Sequence, residues 1–419
     1  MGDDRRRQFG LYLAGLRQRT GKSQRQLAAA LCALSGTQSI TRNEVSRWER
    51  GGRVPDTWLP FLAAVLQTPE AQLRQAVAYA RGDRLAQLPG PEATLAQLMP
   101  PGDLLEPLAS RTSGRRIGAA TVQGLAGRVH ALRLADDLLP GGDLIAPAFR
   151  ELAGAVALYQ EAAYSGETGR GLLAQIGELA QITGWVASDA GRIEDAEHAY
   201  RLGISAARQA GDAPLVANLA GSLAYQWSNT GREREGADLA QAAVEEAGPT
   251  APGAARALFL DRVAWAHTKL GRAHGQAALR ALGQAHDALT DAGDAEAPRW
   301  AYWVNRAELE VMDARVFTEL RKPLRAVPLL TDVLGRYDAT HARELALYRS
   351  WLAVALADAN EPEQAAAEAL RVIDLSGDLA SDRTAVRTRT VLERLREYDD
   401  VPEVRAVLAE HGHLLLAAP

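Results

Sequence analysis

A 40-residue period constrains the fold of this chain more than any other feature. The dipeptide Gly-Arg recurs with that spacing at Gly191-Arg192, Gly231-Arg232 and Gly271-Arg272, and a fourth turn, Asn360-Glu361-Pro362, fits the same frame. Each turn separates two helical segments that have small residues on one face. Paired helices repeated at such a period are typical of an α-solenoid, because each pair buries its apolar face against the next. We therefore predict an all-α fold; an unrelated helical bundle is the alternative.

Charge divides the chain into two parts. The net charge is −5. Residues 1–82 contain 13 Arg and Lys against 6 Asp and Glu, whereas residues 83–419 contain 34 against 46. A basic segment followed by an acidic one indicates separate domains with different partners. The predicted domains are a five-helix head at 1–82, a linker at 83–115 that contains Pro89, Pro91, Pro100 and Pro101, and a helical-repeat body at 116–415.

Composition excludes several classes of protein. A single cysteine, Cys32, cannot form an intrachain disulfide, so a disulfide-dependent secreted fold is excluded. The N-terminal segment MGDDRRRQFG has no apolar core of a signal peptide, and the apolar runs are too short for a transmembrane helix. The expected location is the cytoplasm, in association with the nucleoid.

Helix signals in the head follow one another in a specific order. Ser23 and Thr41 are suitable N-caps for a second and a third helix, and Gly51 ends the third. The segments Ser23-Gln24-x-x-Leu27-Ala28 and Val45-Ser46-x-Trp48-Glu49-x-Gly51-x-x-x-Pro55 resemble the Cro/repressor-like (XRE) helix-turn-helix family. The stretch 29–40 is longer than the compact turn of that family, which predicts that the second helix extends through LCALSG.

The resemblance implies a recognition helix that begins after Thr41. Arginine suits guanine and asparagine suits adenine, so Arg42, Asn43 and Arg47 are expected to reach base edges. Gln24 at the start of the second helix is expected to contact a phosphate. The family pattern also implies a pair between Arg17 and Glu49. The full predicted DNA-binding set is Gln24, Arg25, Thr41, Arg42, Asn43, Ser46, Arg47, Arg50 and Arg53; an ordinary solvated basic face is the alternative.

Aromatic residues mark one register of the repeat. Trp185, Tyr225 and Trp265 are 40 residues apart, at the same place in three successive first helices. A ladder that holds a peptide and simple packing between repeats are both compatible with this spacing. The predicted ligand-binding set is Gln181, Trp185, Asn218, Tyr225, Asn229, Asp261, Trp265 and Asn305. The aromatic cluster 299–305 is predicted to be core, with Asn305 exposed.

The helical pairs resemble tetratricopeptide repeats. A repressor-like head, a linker and such a body together resemble peptide-sensing quorum regulators of the RRNPP type and regulators of high-GC Gram-positive bacteria. The resemblance implies a homodimeric transcription factor that binds a double-stranded DNA operator and a peptide or small-molecule effector. The acidic body favours a cationic peptide. The alternative is a DNA-tethered adaptor whose repeats dock a partner protein.

Catalytic and metal-binding motifs are absent from the sequence. It contains no GxxxxGK[ST], no HExxH and no GxGxxG after a predicted strand. Only His411 and His413 lie close together among the histidines, without another ligand nearby. We therefore expect neither enzymatic activity nor a metal or other cofactor.

Overall fold

The computed structural model describes residues 2–66, 68, 70–83, 94–100, 104–105, 107, 113–139, 141–291, 296–336, 342–376 and 382–415. These residues form an all-α protein, as predicted, with a single isolated parallel bridge between Arg116 and Ala163. They divide into two compact units, residues 1–94 with 270–280, and residues 95–269 with 281–419. Most of the predicted linker, 83–115, lies outside the described residues.

The first unit has five α-helices around one apolar core. They are α1 (Gly2–Arg19), α2 (Gln24–Ser35), α3 (Arg42–Glu49), α4 (Leu59–Leu66) and α5 (Glu70–Ala80). Phe9, Leu27 and Trp48 are almost completely buried and belong to the same apolar cluster. This core fixes α3 against the rest of the unit.

Local sequence signals explain where α2 and α3 begin and end. Ser23 forms a capping box with Gln26, and Thr41 accepts a hydrogen bond from the backbone of Glu44. The helix α2 continues to Ser35 and stops at Gly36, which has a left-handed conformation with φ 71°. The predicted extension of the second helix is therefore confirmed.

The second unit is built from helices joined mostly by short turns. They are α6 (Leu95–Leu98), α7 (Ala119–Leu138), α8 (Gly141–Glu161), α9 (Gly166–Asp189), α10 (Ile193–Ala210), α11 (Ala213–Asn229), α12 (Glu233–Ala247), α13 (Gly253–Lys269), α15 (Arg306–Glu319), α16 (Pro323–Arg336), α17 (Ala342–Asp358), α18 (Pro362–Ser376), α19 (Asp382–Leu395) and α20 (Pro402–His411). The helix α14 (Gly275–Thr290) begins in the first unit and ends in the second.

Antiparallel pairs form between α9 and α10, α11 and α12, α15 and α16, and α17 and α18. Close approach depends on small residues: a Cβ atom at Gly184 would lie 2.6 Å from the ring of Tyr200. Between α13 and α14, a short 3-10 turn at Arg272–His274 follows the predicted glycine turn. The stacked pairs are consistent with the predicted α-solenoid.

One repeat is more regular than the sequence indicates. The prolines at 323 and 328 interrupt the 40-residue rhythm, yet α15 and α16 form a pair like the others. Pro323 is the first residue of α16, a position that tolerates proline because its N–H would have no partner within the helix. No described helix combines the length and the apolar character that a membrane span requires.

Candidate functional sites

A buried ion pair holds α3 in place. The guanidinium of Arg17 donates from Nε to Glu49 Oε1 at 2.5 Å and from Nη2 to Oε2 at 3.0 Å. Gln24 Nε2 donates to the same carboxylate at 2.7 Å. Three helices therefore meet at Glu49, and the pair between Arg17 and Glu49 that the family pattern implies is present.

The opposite face of α3 is open to solvent. Thr41, Arg42, Asn43, Arg47 and Arg50 are exposed, whereas Val45 and Trp48 on the other side are buried. A helix with polar side chains outside and apolar anchors inside can enter a major groove without disturbing its own core. The structure brings these predicted residues onto one surface, with Ser46 partly exposed between them.

Glu44 is a charged residue of this surface that the sequence interpretation missed. It accepts hydrogen bonds from Arg47 Nη1 at 3.0 Å and from Arg53 Nη1 at 3.4 Å. The spacing of three between Glu44 and Arg47 on a helix was the available signal for the first pair. A carboxylate between two predicted DNA contacts orients both of them in the unbound protein.

The side chains of the remaining predicted phosphate contacts differ in whether they already form hydrogen bonds within the protein. Arg25 is exposed. Arg50 Nε donates to the carbonyl oxygen of Ser46 at 3.2 Å, so this guanidinium lies along α3. Gln24 donates one amide N–H to Glu49, and its second amide N–H and its oxygen remain for further hydrogen bonds.

The second unit contains a half-open cavity of about 350 Å³. Its wall comes mainly from the first helices of successive pairs, at positions about one helical turn apart, as the 3.6-residue period requires. The residues that line it are Arg133, Asp136, Asp137, Gln181, Ile182, Trp185, Asn218, Ser222, Tyr225, Leu258, Arg262, Trp300, Tyr302, Trp303, Asn305, Glu308, Val311, Met312, Arg315, Glu344, Leu347 and Tyr348.

The three aromatic residues of the 40-residue register lie next to one another. The ring centroids of Trp185 and Tyr225 are 5.8 Å apart and those of Tyr225 and Trp265 are 5.9 Å apart, with an angle of 33° between the planes in both cases. Trp351 meets Trp265 edge-on at 5.8 Å. We call Trp185, Tyr225, Trp265 and Trp351 the aromatic ladder.

Five of the eight predicted ligand-binding residues line the cavity, namely Gln181, Trp185, Asn218, Tyr225 and Asn305. Three others do not. Trp265 is only 4% exposed, and its Nε1 donates to Asn229 Oδ1 at 3.2 Å. Asp261 is buried behind the wall. The ladder thus lines the cavity at one end, through Trp185 and Tyr225, and is packed core at Trp265.

The aromatic cluster 299–305 is only partly core. Trp300 is buried and packs near Phe259, with ring centroids 6.1 Å apart. Tyr302 is 41% exposed and donates to Asp137 Oδ2 at 2.5 Å, while Trp303 lines the cavity. The interpretation as core was therefore wrong for Tyr302 and Trp303, because α7 lies opposite them across the cavity.

Arginines are the functional candidates that sequence reasoning missed in this unit. Arg133 donates to Gln181 Oε1 at 2.8 Å, and Arg315 donates to the Tyr225 hydroxyl at 2.6 Å. Arg262 lies over the ring of Tyr225 at 4.5 Å. One signal was available: Arg315 lies four residues before the end of α15, as Trp185, Tyr225 and Trp265 do in their helices.

Burial perturbs the titration of the charged residues behind the ladder. Burial raises the pKa of the Asp261 carboxyl to about 6, although Arg262 and Arg315 oppose the shift. Burial also lowers the pKa of the Arg262 guanidinium, against the attraction of Asp261. The nearest oxygen of Asp261 is 3.8 Å from Arg262 Nη1, too far for a hydrogen bond.

Among the described residues, no group of histidine, cysteine, aspartate and glutamate side chains has the arrangement of a metal site. Cys32 is a free thiol that donates to the carbonyl oxygen of Ile40 at 3.3 Å. This contact ties the end of α2 to the segment before α3.

Comparison with known proteins identifies the first unit only. The model of a family described as a helix-turn-helix domain matches residues 8–76. The match covers less than half of the chain and extends from α1 into α5. Helix-turn-helix domains bind DNA through the second helix of the motif. The match therefore indicates that this unit binds DNA. No curated protein matches the chain significantly.

Proposed function

We propose that this protein is a sequence-specific transcriptional regulator whose helical-repeat body binds an effector. The observation that carries the proposal is the matched helix-turn-helix domain, in which α3 presents Arg42, Asn43 and Arg47 to solvent. The proposed organisation is a DNA-binding head at 1–82, a linker at 83–115 and a tetratricopeptide-like body at 116–415. The role is regulatory and not catalytic.

Each exposed polar residue has a proposed role on DNA. Arg42, Asn43 and Arg47 read base edges in the major groove, with Thr41 and Ser46 beside them. The proposed phosphate contacts are Gln24, Arg25, Arg50 and Arg53. When DNA binds, Arg47 and Arg53 exchange their shared partner Glu44 for bases and phosphates.

The cavity supports the proposed effector site. Its volume of about 350 Å³ lies within the range of about 300–1,000 Å³ that is common for small-molecule sites. Partly exposed aromatic rings and a few converging polar groups line it, which is the usual composition of such a site. A small molecule or the side chains of a short peptide fit this space.

We also propose a homodimer. One recognition helix contacts few base pairs, and two heads joined by their bodies gain affinity through their effective concentration. The operator is then expected to contain two half-sites with two-fold symmetry, centred about 34–36 Å or a multiple of that apart. Sedimentation of the purified chain measures the dimer directly.

The experiment begins with selection of the operator from random double-stranded DNA by the full-length protein. The variant Arg47→Ala is expected to lose about 10- to 100-fold in affinity for each half-site of the selected operator, since a bidentate base contact contributes about 1–3 kcal/mol. The matched control is Arg74→Ala on α5. The two side chains are similarly exposed, 63% and 66%, and each pairs with a glutamate.

Wild-type affinity of Arg47→Ala at physiological salt contradicts the assignment of α3 as the recognition helix. Equal losses of affinity in both variants would show that the effect comes from removing a positive charge and not from losing a base contact. If DNA binding is intact, but no small molecule or peptide changes it and the body instead retains a protein partner, the adaptor alternative replaces the proposed effector site.

A further inference from the structure

The cavity wall contains one cation that lacks hydrogen-bond acceptors. Arg262 is 6% exposed, and its guanidinium lies 4.5 Å from the ring centroid of Tyr225 and 5.5 Å from that of Trp185. Among the described residues, it has no hydrogen-bond acceptor, and its nearest carboxylate oxygen, on Asp261, is 3.8 Å away. A buried guanidinium with unused donors is unfavourable unless another group supplies acceptors.

A second arginine of the same chain shows what complete pairing looks like. Arg232 also stacks on a tryptophan, Trp227, at 3.8 Å from the ring centroid. Its Nε donates to Glu235 at 3.0 Å and its Nη1 to Glu197 at 3.3 Å. Arg232 thus combines stacking with acceptors for its donors, whereas Arg262 is stacked on aromatic rings without a hydrogen bond among the described residues.

The carboxylates of the cavity wall, in contrast, have partners. Asp137 accepts from the Tyr302 hydroxyl at 2.5 Å, and Glu308 accepts from the Tyr348 hydroxyl at 3.1 Å. Asp136 and Glu344 also take part in interactions. The wall thus contains four acids and three arginines. Among the described residues, Arg262 is the arginine of the wall that has no hydrogen bond, and Arg133 and Arg315 each have a buried Nε without one.

Arg315 strengthens this positive end of the cavity. Its guanidinium donates to Tyr225 Oη at 2.6 Å and lies 4.6 Å from the ring centroid of Trp265. Arg262 and Arg315 therefore both lie against Tyr225, one stacked on its ring and one bonded to its hydroxyl. An acceptor that enters between the ladder and α15 meets two guanidinium groups.

We propose that the effector is a flat aromatic acid whose carboxylate binds Arg262. This inference rests on the proposed effector site and gives it a ligand class. A planar carboxylate matches the fork of a guanidinium, and the partly exposed rings of Trp185 and Tyr225 accept an aromatic ring by stacking. A single negative charge suits the site better than a doubly charged phosphate, because Asp261 lies beside Arg262.

The test compares three small probes of the same shape on the full-length protein. They are 1-naphthoate, its neutral amide 1-naphthamide, and the cation 1-naphthylmethylammonium. Calorimetry measures binding, and quenching of tryptophan fluorescence reports on Trp185 and Trp303. We expect the carboxylate to bind at least about tenfold more tightly than the amide, with the cation weakest.

Two variants and a matched control locate the anion site. Arg262→Gln is expected to reduce naphthoate binding to the level of the amide and to leave the amide unchanged. Asp261→Asn is expected to tighten naphthoate binding, because it removes the negative charge beside Arg262. The control is Arg232→Gln, which removes an arginine stacked on a tryptophan outside the cavity wall and is expected to change neither.

Each outcome decides one of the two proposals. If the amide or the cation binds as well as the carboxylate, the anion proposal is wrong and the effector site stands. If none of the probes binds or quenches the fluorescence, the effector site fails as well. Because the comparison of carboxylate and amide uses the wild-type protein, it holds even if Arg262→Gln does not fold.

Discussion

Two adjacent residues of α13, Asp261 and Arg262, show how position within a helix determines the state of a charge. Both are buried, at 3% and 6% exposure, but only Arg262 reaches the cavity. The charges of Arg262 and Arg315 lower the pKa of Asp261, whereas its burial and the charge of Asp313 raise it. Of these two adjacent and oppositely charged residues, Arg262 lines the cavity and Asp261 is buried outside its lining.

The raised pKa of Asp261 leads to a prediction for stability. The pKa is 3.8 in an unperturbed chain and about 6 in the folded protein, so protonation favours folding. The stability that this carboxyl contributes is present below about pH 4 and is lost as the pH rises through about 6. Asp261→Asn, which cannot ionise, is expected to gain stability relative to the wild type between pH 4 and pH 7.5.

Thermal unfolding of both proteins across this range measures the difference. The upper limit is about 3 kcal/mol, because each pKa unit corresponds to about 1.4 kcal/mol. Asp313, whose pKa is also raised by burial, is present in both proteins and cancels to first order. A difference in stability that stays constant with pH contradicts the assignment of a perturbed carboxyl at this position.

At the scale of helices, the turns of the repeat share a positive φ, although Gly271, with a ψ of −179°, lies outside the left-handed helical region. Gly191, Gly231 and Gly271 have φ values of 74°, 85° and 95°, and Arg321 and Asn360 have 54° and 63° at the corresponding turns. Glycine adopts this left-handed region without steric cost, and asparagine does so more easily than most residues. The turns thus keep a positive φ even where Arg321 and Asn360 replace the glycine.

This geometry predicts the effect of alanine at one turn. A Cβ atom at Gly231 would have no atom within 4 Å, so Gly231→Ala tests the backbone alone. The expected loss is about 1–2 kcal/mol, the cost of a left-handed alanine. Gly154 in α8 also has nothing within 4 Å, and there alanine is expected to gain up to about 1 kcal/mol through helix propensity.

Thermal melting of the two alanine variants provides the measurement, with changes of opposite sign as the expected result. Similar melting temperatures for Gly231→Ala and Gly154→Ala would show that the left-handed turn is not needed for the pair of α11 and α12.

For the whole molecule, the distribution of charge is more informative than its sum. The net value of −5 conceals a basic head and an acidic body. DNA binding by the head releases counterions from phosphates, so the affinity for the operator is expected to fall steeply with salt. The acidic body does not contribute to this release of counterions, because it carries no excess of positive charge.

The salt dependence gives a prediction for a single phosphate contact. Arg25→Ala is expected to reduce the slope of log affinity against log salt by about 2 for the proposed homodimer, which loses one contact in each half-site, and to weaken binding to all sequences alike. Filter-binding titrations at several salt concentrations give the slope, with Arg74→Ala as the control. An unchanged slope in Arg25→Ala would remove this residue from the phosphate contacts.

The same comparison changes the expected charge of the proposed effector. The acidic body as a whole favours a cationic peptide, whereas the cavity places its unmet donors on Arg262. Long-range charge influences the approach of a ligand, but contacts within a low-dielectric cavity determine which group is bound. The charge of the proposed effector therefore follows the arginines of the cavity and not the net charge of the body.

The sequence by itself determined the features that depend on neighbouring residues. The caps at Ser23 and Thr41, the extension of α2 to Ser35 and the glycine turns of the repeat all follow from local backbone preferences. The 40-residue period also indicated that Trp185, Tyr225 and Trp265 occupy equivalent positions, and their rings are adjacent because each lies four residues before the end of its helix.

Only the tertiary structure decided which end of the ladder is open and what surrounds it. Tyr302 and Asp137 are 165 residues apart, and Arg315 and Tyr225 are 90 apart, yet each pair is hydrogen-bonded at the cavity. Such contacts depend on how successive helices stack, which no local pattern encodes. The register of Trp265 predicts contact with a ligand, but the side chains of Tyr225, Arg315 and Trp351 lie against its ring and it is only 4% exposed.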